Sequence, residues 1–411
     1  MNDLRSLRKD VSYINKLNKI EVLRLIRVSG EISRADIVKK TKLSAPTVTR
    51  IVDSLIVSNL VRMVGHGDST GGRPPKLIRF DGSHNFVIGV DLGSTSIRAA
   101  ISDLDGKFIT EIERPTDLKS GFEKISLQLV ELINILIERS KLVEDKILGV
   151  GLAVAGLINS ETGIIEYSPM FKWKKVNLRE ELKKHLKIAI FYDNVSRVTA
   201  LGELLYGVGK QHKNFICVNV GFGIGAGIII NGEPFFGNRG FAGEFGHIIV
   251  NHNSPYTDAD GIKGCIEALS SGYGIAEIAK HQISAGEESS MISIVKDNLE
   301  KITAEIVINA AKQDDKLALK IVDEAMTYLG IGVDSLIKLF NPEIIVFGGG
   351  IAKSGEIFFS KLEKHILENK LREIKYIVKL VPSSFDQNAT LIGAFSLVIS
   401  KVLQFDNGDL T

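Results

Sequence analysis

Two stretches decide how this chain reads: Val87-Ile88-Gly89-Val90-Asp91-Leu92-Gly93-Ser94-Thr95 and Phe215-Ile216-Cys217-Val218-Asn219-Val220-Gly221. Each is a short run of β-branched and apolar residues that stops at a glycine turn, the pattern of a buried strand. A second strand follows in both places, over 97–103 and 227–233, each with a hairpin beside it (Asp105-Gly106, Asn231-Gly232). Further along the first half, residues 125–137 have helical periodicity, and 147–154 read as another buried strand. Val90-Asp91-Leu92-Gly93 is echoed by Val218-Asn219-Val220-Gly221. A repeat of strand, glycine turn, strand and hairpin implies a duplicated α/β fold with a cleft between its halves. A third glycine-rich segment, 344–350, runs from strand into turn towards a helix. Glycines in such loops let backbone amides approach a phosphate.

Residues 1–80 differ in character. They hold 16 Lys and Arg against 7 Asp and Glu, a net of +9, so the rest of the chain carries −7 beneath an overall +2. A basic head on an acidic body points to a polyanionic partner for the head. Three helical patterns lie between residues 15 and 60. Ile20, Val22, Leu23 and Ile26 form the apolar face of the first. Ser33 with Asp36 opens the second, and Ser44 with Pro46 in the first turn opens the third. Val48, Ile51, Val52 and Leu55 are the buried stripe of that third helix. Across the turn Lys42-Leu43 the last two helices make a helix-turn-helix, whose second helix presents Ser44, Pro46, Thr47, Thr49 and Arg50 to a major groove. Residues 61–64 and 76–80 read as wing strands. The basic turn Gly71-Gly72-Arg73-Pro74-Pro75 between them suits placing Arg73 in a minor groove. A helical protein-interaction domain would share the three helices; the charge, the capped third helix and the basic wing favour double-stranded DNA.

Composition narrows the class further. With 44% hydrophobic and 24% charged residues, 39 Gly and 9 Pro, the chain is neither collagen-like nor disordered. Cys217 and Cys265 cannot build a disulfide framework, and the first residues lack the apolar run of a signal peptide. The most apolar stretch, 215–230, is broken by Asn219 and glycines and is too short to span a bilayer. The expectation is a cytoplasmic protein with no membrane partner.

The ordered set Asp91-Leu92-Gly93-Ser94-Thr95, Gly243-Glu244-Phe245-Gly246-His247, Gly264-Cys265-Ile266-Glu267 and Gly348-Gly349-Gly350 resembles the ROK family over essentially the whole chain. That family holds sugar kinases of the actin-like ATPase (ribonuclease H-like) fold, and sugar-responsive repressors with an added winged helix-turn-helix. Ile32-Ser33-Arg34-Ala35, the 71–75 turn and Val381-Pro382-Ser383-Ser384 most resemble its xylose repressor branch. The resemblance implies a DNA-binding domain over 1–80 and a two-lobed kinase-like body over 81–411, with lobes at roughly 81–200 and 201–411.

The resemblance also places the kinase machinery. Asp91, Gly93 and Thr95 fall in the first phosphate loop, Gly221 and Gly223 in the second, and Gly349 in a third. Phe222 stands where a small hydroxyl residue is usual, and a phenyl ring donates nothing to a phosphate oxygen. The catalytic-base position falls on Val195, which cannot take a proton; Glu203 and Gly207 keep the family spacing to it. A two-residue slip would bring Asp193 there instead. The phosphate loops are therefore read as vestigial, without catalytic residue, ATP or magnesium. Asn194, Glu244, His247 and Glu267 are implied as sugar ligands, while Pro169-Met170 lacks the asparagine of the kinases. The family's zinc site of one His and three Cys survives only as His247 and Cys265, since Asp258 and Asp260 replace the other two, so no metal is expected. These features describe a sugar-responsive repressor of carbohydrate utilisation, xylose being the first candidate effector. It would bind paired operator half-sites as a homodimer or higher oligomer. An active sugar kinase with a DNA-binding head, and a DNA-binding protein without a ligand, are the competing readings.

Overall fold

The computed structural model describes residues 2–67, 74–368 and 378–402. The head consists of α1 (Asn2–Ser29), β1 (Glu31–Ser33), α2 (Arg34–Thr41), α3 (Ala45–Val57), β2 (Val61–His66) and β3 (Lys76–Phe80). The expected caps form: the Ser33 hydroxyl accepts from the Asp36 amide at 3.1 Å, and Ser44 accepts from the Thr47 amide at 3.4 Å. Val48, Ile51, Val52 and Leu55 bury against Val22, Leu23, Ile26 and Ile37. Two features go beyond the periodicity. Helix α1 starts well before residue 15, and β1, with Ile32 buried, joins the wing as an antiparallel strand in the order β1-β3-β2. Gly71, Gly72 and Arg73 lie outside the described residues.

The body is two sheets of one design. The first lobe comprises β4 (Phe86–Leu92), β5 (Ser96–Asp103), β6 (Phe108–Pro115), α4 (Gly121–Ser140), β7 (Ile147–Val154), a small sheet of β8 (Leu157–Ile158), β9 (Ile165–Ser168) and β10 (Trp173–Val176), α5 (Leu178–Lys183), β11 (Ile190–Asn194) and α6 (Val195–Leu205). The second has β12 (Phe215–Val220), β13 (Ile224–Ile230), β14 (Glu233–Pro234), α7 (Ile266–Ser270), α8 (Gly272–Ser284), α9 (Met291–Ile294), α10 (Ala304–Ala311), α11 (Lys316–Phe340), β15 (Ile344–Gly348), α12 (Glu356–Glu368), β16 (Lys379–Pro382) and α13 (Ala389–Val402). The sheet orders, β6-β5-β4-β7-β11 and β14-β13-β12-β15-β16, correspond strand for strand. In each, the central strand pairs antiparallel with its hairpin partner and parallel with the crossover strand. This is the duplicated, actin-like α/β architecture. Strand β13 begins three residues ahead of the expected start, and a 3₁₀ turn at Ala352–Ser354 separates the Gly349 turn from α12.

The boundary between the lobes runs along two helices. A cut at residue 200 passes through α6, which packs on β12 and β13 of the second sheet, while α13 returns to pack on β4 and β7 of the first. The helices cross where a Cβ on Gly393 would sit 2.3 Å from the Val198 carbonyl oxygen, and one on Gly202 would sit 3.0 Å from the Gly393 amide. Bare glycines let the two backbones touch at this crossing. The buried Glu203 carboxylate ties α6 to the loop before α13, accepting from both Ser383 and Ser384 hydroxyls at 2.7 and 2.9 Å. The head is no separate bead. Ile78 and Phe80 share one apolar cluster with Val87, Ala100, Leu104, Leu391 and Phe395 of the first lobe and α13. Among the described residues no helix is long and apolar enough to cross a membrane.

Candidate functional site

The 243–247 segment is laid along β13, whose Ala226 amide donates to the Gly243 carbonyl at 2.9 Å. Buried Phe245 anchors it and leaves Glu244 and His247 one turn apart, with Glu244 Oε2 3.8 Å from His247 Nε2. Glu267, in the first turn of α7, accepts from the Ile224 amide at 2.6 Å. That approach requires Gly223 to be bare, because a Cβ there would lie 2.6 Å from the same carboxylate oxygen. Burial pushes the Glu244 and Glu267 carboxyls up; His247 opposes it at both, and the Ile224 amide opposes it at Glu267. Three of the four expected sugar ligands thus form one cluster on the second lobe. Asn194 sits where β11 meets α6: its Oδ1 caps α6 by accepting from the Ser196 amide at 2.9 Å, and its Nδ2 donates to the Gly156 carbonyl at 2.9 Å. One N–H and one lone pair remain for a ligand. The start of α6 lies against β13, where a Cβ on Gly225 would sit 2.4 Å from the Ser196 hydroxyl.

Asp193 has another occupation. Arg197 Nε lies 3.0 and 3.1 Å from its two oxygens, and the Asn194 amide donates to it at 2.7 Å. The Arg197 guanidinium also donates to the Gly240 carbonyl at 2.7 Å, so the pair straps the second lobe to α6. Val195, half-buried, opens the helix beside it.

At the phosphate loops, Asp91 is the last but one residue of β4, and burial pushes its carboxyl up to about 6 against the pull of Arg98. Gly93 and Thr95 close a tight turn through the Thr116 hydroxyl and amide, which donate to their carbonyls at 2.7 and 3.0 Å. In the second loop, the Gly221 and Phe222 carbonyls accept from the amides of Gly272 and Tyr273. The Phe222 ring is 61% exposed and tilts over Tyr273 at 5.7 Å. An exposed phenyl in the middle of the loop does not fit a magnesium–nucleotide phosphate, which needs small residues and free donors there.

On the head, Ser44, Pro46, Thr49 and Arg50 are exposed, and Thr47 is half-buried with its hydroxyl 2.8 Å from that of Ser44. Arg50 donates to Asn15 of α1 at 2.9 Å, which holds its guanidinium at the outer face of α3. A junction that the sequence did not reveal lies behind the head. A cavity of about 1150 Å³ opens between α1, the wing, both lobes and the end of α13. Arg24 of α1 crosses it to pair with Glu233 of the second lobe at 2.6 Å, and Arg27 lies over the rings of Tyr206 and Phe80 at 4.7 and 5.4 Å. Arg24 and Glu233 are 209 residues apart, so no local pattern could have signalled the pairing.

The ROK family profile matches residues 87–401, and the MarR family profile matches residues 16–64. A xylose repressor of Caldicellulosiruptor bescii is 32% identical over 96% of this chain and 98% of its own. A glucokinase of Thermotoga maritima is also 32% identical, over 77% of this chain and 98% of its own. The crystal structure of a ROK family transcriptional regulator, a homologue of the E. coli MLC protein, superposes with a TM-score of 0.81 at 27% identity, covering 96% of this chain and 100% of that one.

Proposed function

The chain belongs to the ROK family and carries a MarR-like winged head, and on that premise we propose that it is a sugar-responsive DNA-binding repressor with xylose as effector. One observation carries the reading: the head shares an apolar core with one lobe and meets the other through the Arg24–Glu233 ion pair. The head therefore senses how the lobes stand to each other.

Glu244, His247, Glu267 and Asn194 receive the sugar hydroxyls. The carboxylates and the remaining imidazole nitrogen accept, the asparagine amide both donates and accepts, and the first three residues move with the second lobe. A sugar that binds the closed cleft more tightly than the open one draws the second lobe towards the first about the α6/α13 crossing. Glu233 then shifts under Arg24, re-aiming α1 and, through Arg50 and Asn15, helix α3. Two heads on paired half-sites convert a small re-aiming into a change of operator affinity, so the working form is a homodimer or higher oligomer.

The body binds sugar without phosphorylating it. Val195 has no proton acceptor, Asp193 is engaged by Arg197, and Phe222 occupies the second phosphate loop. Calorimetric titration of the full chain with pentoses and hexoses, run beside an ATP phosphotransfer assay on the same sugars, tests the reading. It expects saturable binding of a pentose and no phosphorylated product. A phosphorylated product formed by the parent chain would make the protein a kinase, and no heat with any sugar would remove the sensor.

A further inference from the structure

The buried carboxylate of Asp258 sits where the resemblance implies a zinc-ligating cysteine. Its Oδ1 accepts from the amides of Asp260 and Ile262 at 3.0 and 2.8 Å. Its Oδ2 accepts from His247 Nδ1 at 3.0 Å and from the Cys265 thiol at 3.2 Å. Four donors thus meet one carboxylate, two per oxygen, which is close to its full accepting capacity. Around it the 248–265 loop is closed by single bridges, Ile249 with Cys265 and Thr257 with Lys263. The Cys265 sulfur also caps α7, accepting from the Ala268 amide at 3.4 Å.

His247, Asp258 and Cys265 are the one trio among the described residues whose ligand atoms converge as a metal site would need. A structural zinc takes four ligands, and the fourth is turned away. Asp260, exposed, accepts from the Tyr167 hydroxyl of the first lobe at 3.0 Å and so reaches across the cleft. Both oxygens of Asp258 already serve protein donors. The three groups fit a hydrogen-bonded knot better than an ion.

We propose that Asp258 takes the place of a metal in this protein: its carboxylate closes the 248–265 loop and fixes the His247 ring with no ion bound. With Nδ1–H donating to Asp258, the neutral ring leaves Nε2 as an acceptor 3.8 Å from Glu244 Oε2, a pair of acceptors that two neighbouring ligand hydroxyls can meet, one each. Asp258 is thus a positioning residue for the sugar, and only this second step rests on the sugar-binding reading above.

Metal analysis of the full chain, purified without chelator, tests the first step independently of any sugar. The protein should carry far less than one metal per chain, and EDTA should leave its thermal midpoint unchanged. About one zinc per chain, or a midpoint that falls in EDTA, would overturn the proposal. The double replacement Asp258→Cys with Asp260→Cys should gain bound zinc and become chelator-sensitive; if it gains none, the correspondence of these positions with zinc ligands is wrong. For the second step, Asp258→Asn should weaken sugar binding about ten-fold or more while operator affinity without sugar is kept. An Asp258→Asn protein that cannot fold, beside a metal-free parent, supports the knot. One with the parent's midpoint and sugar affinity overturns it.

Discussion

Replacing Asp193 with alanine separates a strut from a catalytic base. The Arg197 side chain is only 2% exposed and that of Asp193 11%, so neither charge is hydrated. Without the carboxylate, the guanidinium stays buried against the Gly240 and Ala242 carbonyls, at 2.7 and 3.4 Å. Breaking a buried pair from one side costs about 3–5 kcal/mol, because the remaining charge keeps its desolvation penalty without its partner. Taking both away, with Asp193→Ala and Arg197→Met together, removes that penalty and should recover most of the loss. Trp173 is the chain's one tryptophan and reports directly, since it stacks on Phe171 at 4.6 Å and meets Phe122 edge-on at 5.1 Å within the first lobe. In urea unfolding followed by its fluorescence, an m-value of about 3 kcal/mol/M or more, as a chain of this length needs, translates the loss into a midpoint roughly 1 M lower for the single variant. A single variant with the parent's midpoint would refute the strut, and a double variant no better than the single would refute the desolvation reasoning.

Other predictions follow from the same structure. Burial holds the Asp91 carboxyl at about 6 in the fold against 3.8 for an ordinary aspartate, so ionisation favours the unfolded chain. Asp91→Asn should match the parent's stability below pH 4, gain on it as pH rises towards 6, and hold a lead of about 3 kcal/mol above that, as pH-dependent urea melts would show. The Arg24–Glu233 pair is half exposed at both ends, so Glu233→Lys should change stability by less than about 1 kcal/mol. It should nevertheless shrink the sugar's effect on operator affinity, and the swap Arg24→Glu with Glu233→Arg should restore it. Operator affinity should fall steeply with salt, and Arg73→Ala should make the log–log slope shallower by about one and weaken A·T-rich sites most.

The fold was legible because its signals are local. Apolar runs ending in glycine mark β4 and β12, Asn231-Gly232 marks the β13–β14 hairpin, and Ser33 and Ser44 mark the starts of α2 and α3. The candidate site was legible as motifs to the extent that Glu244, His247 and Glu267 lie on short segments that fold back on β13 and come together there. What stayed hidden is long-range. Nothing local says that α13 returns to the first sheet, which depends on Gly202 meeting Gly393 across nearly two hundred residues. Arg24 finding Glu233 has the same character. Asp193 read as a stand-in for the missing base because its partner Arg197, one helical turn away, also had to reach Gly240 before the strap was visible. Asp258 and Asp260 read as lost cysteines, and only their hydrogen bonds show that each has another task.

Sugar-responsive repression requires that sugar in the cleft change the grip of the head on DNA. Fluorescence anisotropy of the full chain on an operator selected from random duplexes, titrated with and without saturating xylose and a panel of other sugars, measures it directly. Tight binding at the operator over random DNA, shifted several-fold by xylose and not by unrelated sugars, is the predicted result. Operator affinity that no sugar alters, or equal affinity for operator and random DNA, would contradict it.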